Sequence, residues 1–157
     1  MQIEYDNLYI HFVFVTKDRQ PLITETNRIR IEKYITGVIK NNACKLYAIY
    51  ANPEHVHILL SKAPELSEIQ ISTIIADSSA KFINDNKLCK FRFEWQQSAA
   101  AFAVSKSDID KVCQYILGQP LHHKKITYAM EYDAFMKHNQ QPLRQKNEGD
   151  GDENNVG

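Results

Sequence analysis

His55-Val56-His57 places two imidazoles one strand pitch apart, and Tyr115 and Gln119 stand one helical turn apart. Residues i and i+2 of a strand point to the same face, so His55 and His57 project together, opposite Val56, Ile58 and Leu60. Two neutral imidazoles side by side make part of a coordination sphere, leaving room for oxygen donors and a phosphate around a divalent ion. Tyr115 and Gln119, spaced i and i+4, share a helix face beside the apolar band of Ile109, Val112, Cys113 and Ile116. From there the phenol could attack a phosphate, and the amide oxygen of Gln119 could be the missing ligand. Lys111, one turn before Tyr115, could contact that phosphate. Each residue also has a plainer reading: surface histidines without a ligand, a half-buried amphipathic tyrosine, a solvated lysine. Taken together, the two pairs describe a metal-assisted site.

The elements that must position these groups follow from periodicity. Leu8–Thr16 is β-branched and aromatic and reads as a buried strand, closed by a turn at Lys17–Pro21. Ile31, Tyr34, Ile35, Val38 and Ile39 predict an amphipathic helix from Thr26 to about Asn41–Asn42. Lys45–Ala51 and His55–Ser61 predict two strands joined at Asn52-Pro53-Glu54 as a hairpin. Ser67–Gln70 has the form of a capping box opening a second helix, with Ile71, Ile74, Ile75, Ser78 and Phe82 as its stripe. Lys90–Gln97 alternates as a strand would, and Ala99–Val104 suits a partner strand. A third helix opens at Ser107–Asp110 and buries Ile109, Val112, Cys113, Ile116 and Leu117; Tyr128–Lys137 predicts a short last helix. This β-α-β-β-α-β-(β)-α order predicts a ferredoxin-like α+β sandwich: a split β-α-β antiparallel sheet with helices on one face, plus the tyrosine-bearing helix. If the helices cover the Val56 face, the histidines lie on the open one.

Composition bounds the rest. The chain of 157 residues is long enough for one domain with a real core, and 43% hydrophobic with 24% charged residues is a globular composition. No apolar run is long enough to span a membrane, and Met1–Glu4 lacks a secretory pattern, so a cytoplasmic location is expected. Cys44, Cys89 and Cys113 form no C-x-x-C pair and fit reduced, packed thiols. Residues 147–157 hold four acids and no base, leaving 19 basic against 15 acidic residues elsewhere, a body charge of +4. That charge permits nucleic-acid binding without demanding it. Residues 141–157 are expected to be a disordered acidic tail behind a domain of residues 1–140.

On these residues the chain resembles the single-tyrosine HUH transposases of bacterial insertion sequences, the insertion-sequence-200 type. The resemblance runs from about Tyr9 to Lys137 through HFVFVTKDRQPL, PEHVHILLS, AFAVSKSDIDKVCQYILGQPLHH and EYDAFMKHN. His-x-His followed at this distance by V-x-x-Y-I-x-x-Q is a specific combination. It implies cleavage and rejoining of single-stranded DNA at hairpin-flanked element ends. Tyr115 would be the nucleophile forming a 5′-phosphotyrosine link, and His55, His57 and Gln119 the ligands of Mg²⁺ or Mn²⁺. It further implies a homodimer whose tyrosine helix acts in trans, with Lys17 and Arg19 placed for DNA backbone contact.

Two departures bear on this. Where the family commonly carries Gly-Tyr-Gly-Ala-Phe after its tryptophan, Trp95 is followed by Ser98-Ala99-Ala100-Ala101-Phe102, which lacks the glycines' freedom and a stacking ring. Pro120 disfavours helical geometry at Gln119 and suggests a hinge. The competing readings are a non-catalytic hairpin-binding module on the same sheet, and a hydrolase using a metal-activated water. The hydrolase lacks an acidic third ligand at a recognisable spacing. His122-His123 are given no ligand role.

Overall fold

The computed structural model describes residues 1–4 and 7–122, and beyond them residues 130, 133, 134 and 137. The chain forms two compact units, residues 1–125 and 126–157. In the second, the four described residues have helical backbone; the expected helix at Tyr128–Lys137 otherwise lies outside the described residues, as does the acidic tail. Among the described residues no helix is long and apolar enough to cross a membrane.

The first unit is built as β1 (Tyr9–Val15), α1 (Glu25–Asn41), β2 (Lys45–Ala51), β3 (His55–Ser61), α2 (Glu68–Asp85), β4 (Ala100–Val104), α3 (Ile109–Leu117) and the short α4 (Gln119–His122). The strands form one antiparallel sheet in the order β2-β3-β1-β4, the ferredoxin-like arrangement. β1 is central and buried along its whole length. On one face Ile10, Phe12, Phe14, Val56, Ile58 and Leu60 meet Ile31, Ile35 and Ile39 of α1 and Ile71, Ile75 and Ile83 of α2. Ser67 accepts from the backbone of Gln70 while the Gln70 side chain accepts from the backbone of Ser67, so the predicted capping box starts α2. The buried stripe of α2 is Ile71, Ile75, Ser79 and Ile83, one i+4 row; Ile74, Ser78 and Phe82 stand at its border. Tyr34 stacks on Phe82 there, joining the two helices outside the core.

Three expectations are corrected. Lys90–Gln97 is not a strand. Val13 through Tyr9 of β1 are already paired with Ala100 through Val104, so only a single bridge between Thr16 and Trp95 remains for that segment. Its backbone is satisfied elsewhere: Asn84 both accepts from the Phe93 amide (2.8 Å) and donates to the Phe93 carbonyl (2.9 Å). The alternation of Phe91, Phe93 and Trp95 instead reflects Phe93 and Trp95 packing onto the core against Phe14, while Phe91 is exposed. The second correction is the open face. Helix α3 lies on it, burying Ile116 against Tyr9, Ala48 and Leu59. Leu117, expected in that stripe, points to solvent at 60% exposure.

Candidate active site

His11, His57 and His55 project from the β1–β3 face under α3, and all three are buried. The register pairs Val13 with His57 and Val15 with His55, so His11 on β1 lies diagonal to His57 on the same face. His11 Nε2 is 2.9 Å from His57 Nδ1. Burial, reinforced by the neighbouring His57, pushes the His11 pKa down to about 3. A histidine so depressed is neutral at physiological pH. For His57 to offer the lone pair of Nε2, its Nδ1 must carry the proton and donate to His11, which fixes the ring by an outer hydrogen bond.

His55 is oriented in the same manner. The Glu54 carboxylate accepts from Nδ1 at 2.9 Å, leaving the lone pair on Nε2. Asn52 Nδ2 donates to that nitrogen at 3.1 Å and also to Oε1 of Gln119 at 3.2 Å. Thus the lone pairs of His55 and Gln119 converge on one small region, and Gln119 is fully buried. The Asn52 amide N–H bonds the His55 carbonyl at 2.8 Å, closing the turn that sets the two residues face to face. Two imidazole nitrogens and a convergent amide oxygen are donor types that a divalent ion accepts, with room for further oxygen ligands from substrate. Among the described residues no three His, Cys, Asp or Glu side chains are arranged to hold a metal ion by themselves.

Tyr115 completes the group. Its ring meets His57 edge-on, with centroids 5.6 Å apart, and lies 6.3 Å from His11. The break that Pro120 suggested at Gln119 falls one residue earlier. Helix α3 is capped at Gly118, and Gln119 opens α4. A Cβ on Gly118 would lie 2.9 Å from the Gln114 carbonyl oxygen, so this close approach requires glycine. The turn drops Gln119 beneath α3, where its Nε2 donates to the Tyr115 carbonyl at 3.4 Å.

His55, His57, Gln119 and Tyr115 are therefore brought together by one chain, while the three basic residues lie at the surface. Lys17 and Arg19 sit in a 3-10 turn after β1, with Asp18 and Arg19 in left-handed conformation (φ 57° and 54°). That turn is tied to the histidine turn: the Thr16 amide donates to the Glu54 carbonyl and the Ile23 amide to the Pro53 carbonyl. Lys17 is paired with Glu94 at 3.0 Å; the contact raises the pKa of the lysine and lowers that of the acid. Lys111 is exposed on α3. A separate cleft of about 630 Å³ between α2 and the 92–97 segment mixes Asp77, Asp85 and Glu94 with Lys81 and Arg92, and shares no lining residue with the histidine site.

His11, Asn52 and Glu54 were not singled out from sequence. Glu54 was legible in principle, as an acid beside a histidine; His11 and Asn52 join the site only through strand register and the hairpin turn.

Residues 4–119 match the family model described as "Transposase IS200 like". Among solved structures, a proposed transposase from Deinococcus radiodurans R1 aligns with a TM-score of 0.58 and 19% identity, covering 76% of this chain and 96% of that one. A REP-associated tyrosine transposase, solved bound to a REP hairpin, aligns with a TM-score of 0.59 and 16% identity, covering 80% of this chain and 74% of that one. These likenesses concern the fold. No curated protein is significantly similar to the chain. The family match spans every element from β1 to the end of α3 and reaches Gln119, and the chain belongs to the IS200-like transposases.

Proposed function

We propose that this protein cleaves and rejoins single-stranded DNA at hairpin-bearing ends, with Tyr115 as nucleophile and His55, His57 and Gln119 holding a divalent ion. The observation that carries the reading is the convergence of the Tyr115 ring on His57 while His55 and Gln119 aim their lone pairs at a common point. A bound Mg²⁺ or Mn²⁺ would polarise the phosphoryl oxygens and offset charge developing on them. Tyr115 Oη forms a bond to phosphorus, and the bond from phosphorus to the 3′ oxygen breaks. The phenol loses its proton to solvent, and the departing oxygen takes one up as a 3′-hydroxyl. The resulting 5′-phosphotyrosine retains the ester's energy, so a 3′-hydroxyl can reverse the step on another strand without a nucleotide cofactor.

The remaining residues bind and orient. His11 and Glu54 hold the two imidazoles in the tautomers that leave Nε2 available. Lys17 and Arg19, on a turn bonded to the histidine turn, are suited to contact DNA backbone near the reacting phosphate. Lys17 would exchange Glu94 for a phosphate, and Lys111 would contact the strand from the exposed side of α3. The hairpin in the structure of the REP-associated relative supports hairpin DNA as the partner here. A homodimer with exchanged tyrosine helices belongs to the proposal, because the contacts of α3 with its own sheet can be rebuilt on a partner's sheet.

The test is incubation of labelled single-stranded hairpin DNA from the flanks of the gene with Mg²⁺ or Mn²⁺. The wild type should give a covalent protein–DNA adduct, and Tyr115→Phe should give none. Full adduct formation by that variant would remove Tyr115 from its role. Hairpin binding by the wild type without adduct or divalent-ion dependence would instead identify a binding module, the reading that the alanines at Ala99–Ala101 favour.

A further inference from the structure

The geometry points to Asn52 as a further protein ligand of the divalent ion, presenting Oδ1 beside His55, His57 and Gln119 once its amide has turned. This inference rests on the metal reading above and adds a donor that the His-x-His and tyrosine–glutamine motifs do not contain.

The argument starts from distance. In an octahedral site with metal–ligand bonds of about 2.1 Å, neighbouring ligand atoms lie about 3 Å apart. Asn52 Nδ2 is 3.1 Å from His55 Nε2 and 3.2 Å from Gln119 Oε1. An atom occupying the ion's own position would be about 2.1 Å from each ligand. The Asn52 amide therefore sits where another ligand belongs, at a corner of the coordination sphere. Half a turn about its Cβ–Cγ bond exchanges the amide's nitrogen and oxygen with little change in shape. Without a cation, the N–H groups face the two acceptors and satisfy them. With a cation among those acceptors, the electron-rich oxygen becomes the favourable end.

Local structure holds the amide in place. Asn52 is 4% exposed, its backbone N–H is bonded to the His55 carbonyl, and Pro53 follows it. Displacing the side chain would bury a polar amide elsewhere, whereas turning it costs no new burial. Such an arrangement gives the loaded site a four-donor protein cage of two imidazoles and two amides.

The test is a calorimetric Mn²⁺ titration of the full-length protein without DNA, comparing the wild type with Asn52→Ala, Asn52→Asp and His55→Ala. Asn52→Ala should weaken Mn²⁺ binding about ten-fold or more, the loss expected when a donor or its support is removed from a metal site. Asn52→Asp, which keeps the shape and adds negative charge, should bind more tightly than wild type. Unchanged or tighter binding by Asn52→Ala would overturn the assignment, because the amide would then be indifferent or obstructive. Should Asn52→Ala fail to fold, binding by Asn52→Asp no tighter than wild type overturns it equally. His55→Ala separates the two claims. If it loses Mn²⁺ while Asn52→Ala does not, the centre stands and the fourth ligand falls. If the wild type takes up no Mn²⁺, the centre itself falls and the ligand with it.

Discussion

His11 is the residue whose environment has most to say about conditions. Its pKa is about 3 in the fold against 6.5 for an ordinary histidine, because burial disfavours the charged form. Between these values the unfolded chain binds a proton that the folded chain does not, so stability rises with pH through that interval and is fully present above 6.5. At neutral pH the His11–His57 pair is thus intact, and acid works against it. In metal-free protein, urea unfolding should show stability falling below pH 6.5 with a contribution of up to about 1.4 kcal/mol per pH unit from this group. His11→Gln should lose that part of the slope. If both proteins show the same pH dependence between 6.5 and 4, His11 is not held neutral by the fold.

At the scale of elements, the site depends on a single helix seated on the sheet. Ile116 is fully buried and meets Tyr9, Ala48 and Leu59, while Val112 and Cys113 are only partly covered and Leu117 faces solvent. Burial of this one side chain is the main apolar anchor beneath Tyr115. Ile116→Ala should cost about 2–5 kcal/mol of global stability if α3 unfolds with the rest. If α3 instead detaches by itself, the cost will be smaller and the adduct yield will fall at temperatures where the sheet remains folded. Measuring unfolding and adduct formation on the same variant separates the two. A variant with unaltered stability and full adduct formation would show that Ile116 does not hold the tyrosine in place. The opposite face, where α1 and α2 pack on the sheet through Ile31, Ile35, Ile71 and Ile75, should be unaffected in either case.

For the whole molecule, the question is whether one chain or two make the working site. One chain alone brings Tyr115 to its own His57. Exchange of α3 between two chains would reproduce those contacts with the same side chains, so packing by itself does not distinguish the arrangements. Mixing inactive variants does. Tyr115→Phe combined with a His55→Ala, His57→Ala double variant should recover about a quarter of the wild-type adduct when pairs form at random and tyrosines are exchanged. Absence of any recovery, in a mixture proven to form mixed dimers, would assign the reaction to a single chain.

Much of this arrangement was legible without coordinates. The strands Lys45–Ala51 and His55–Ser61 and the capping box at Ser67–Gln70 follow from side-chain type and period, because propensity and periodicity act over a few residues; Gln119 does not share the tyrosine's helix as its spacing suggested, because Gly118 ends α3 before it. The same local logic failed at Lys90–Gln97, where alternation looked like a strand but β4 already held the partner edge of β1. It also left the histidine face open, since nothing local announces that a later helix will cover it. His11 and Asn52 entered the site through cross-strand register and a turn that spans to Gln119, 67 positions along the chain. Local sequence thus determined which groups were available and on which face of an element each stood. Tertiary packing decided which of them met, because the meeting is set by how separate elements share one buried face.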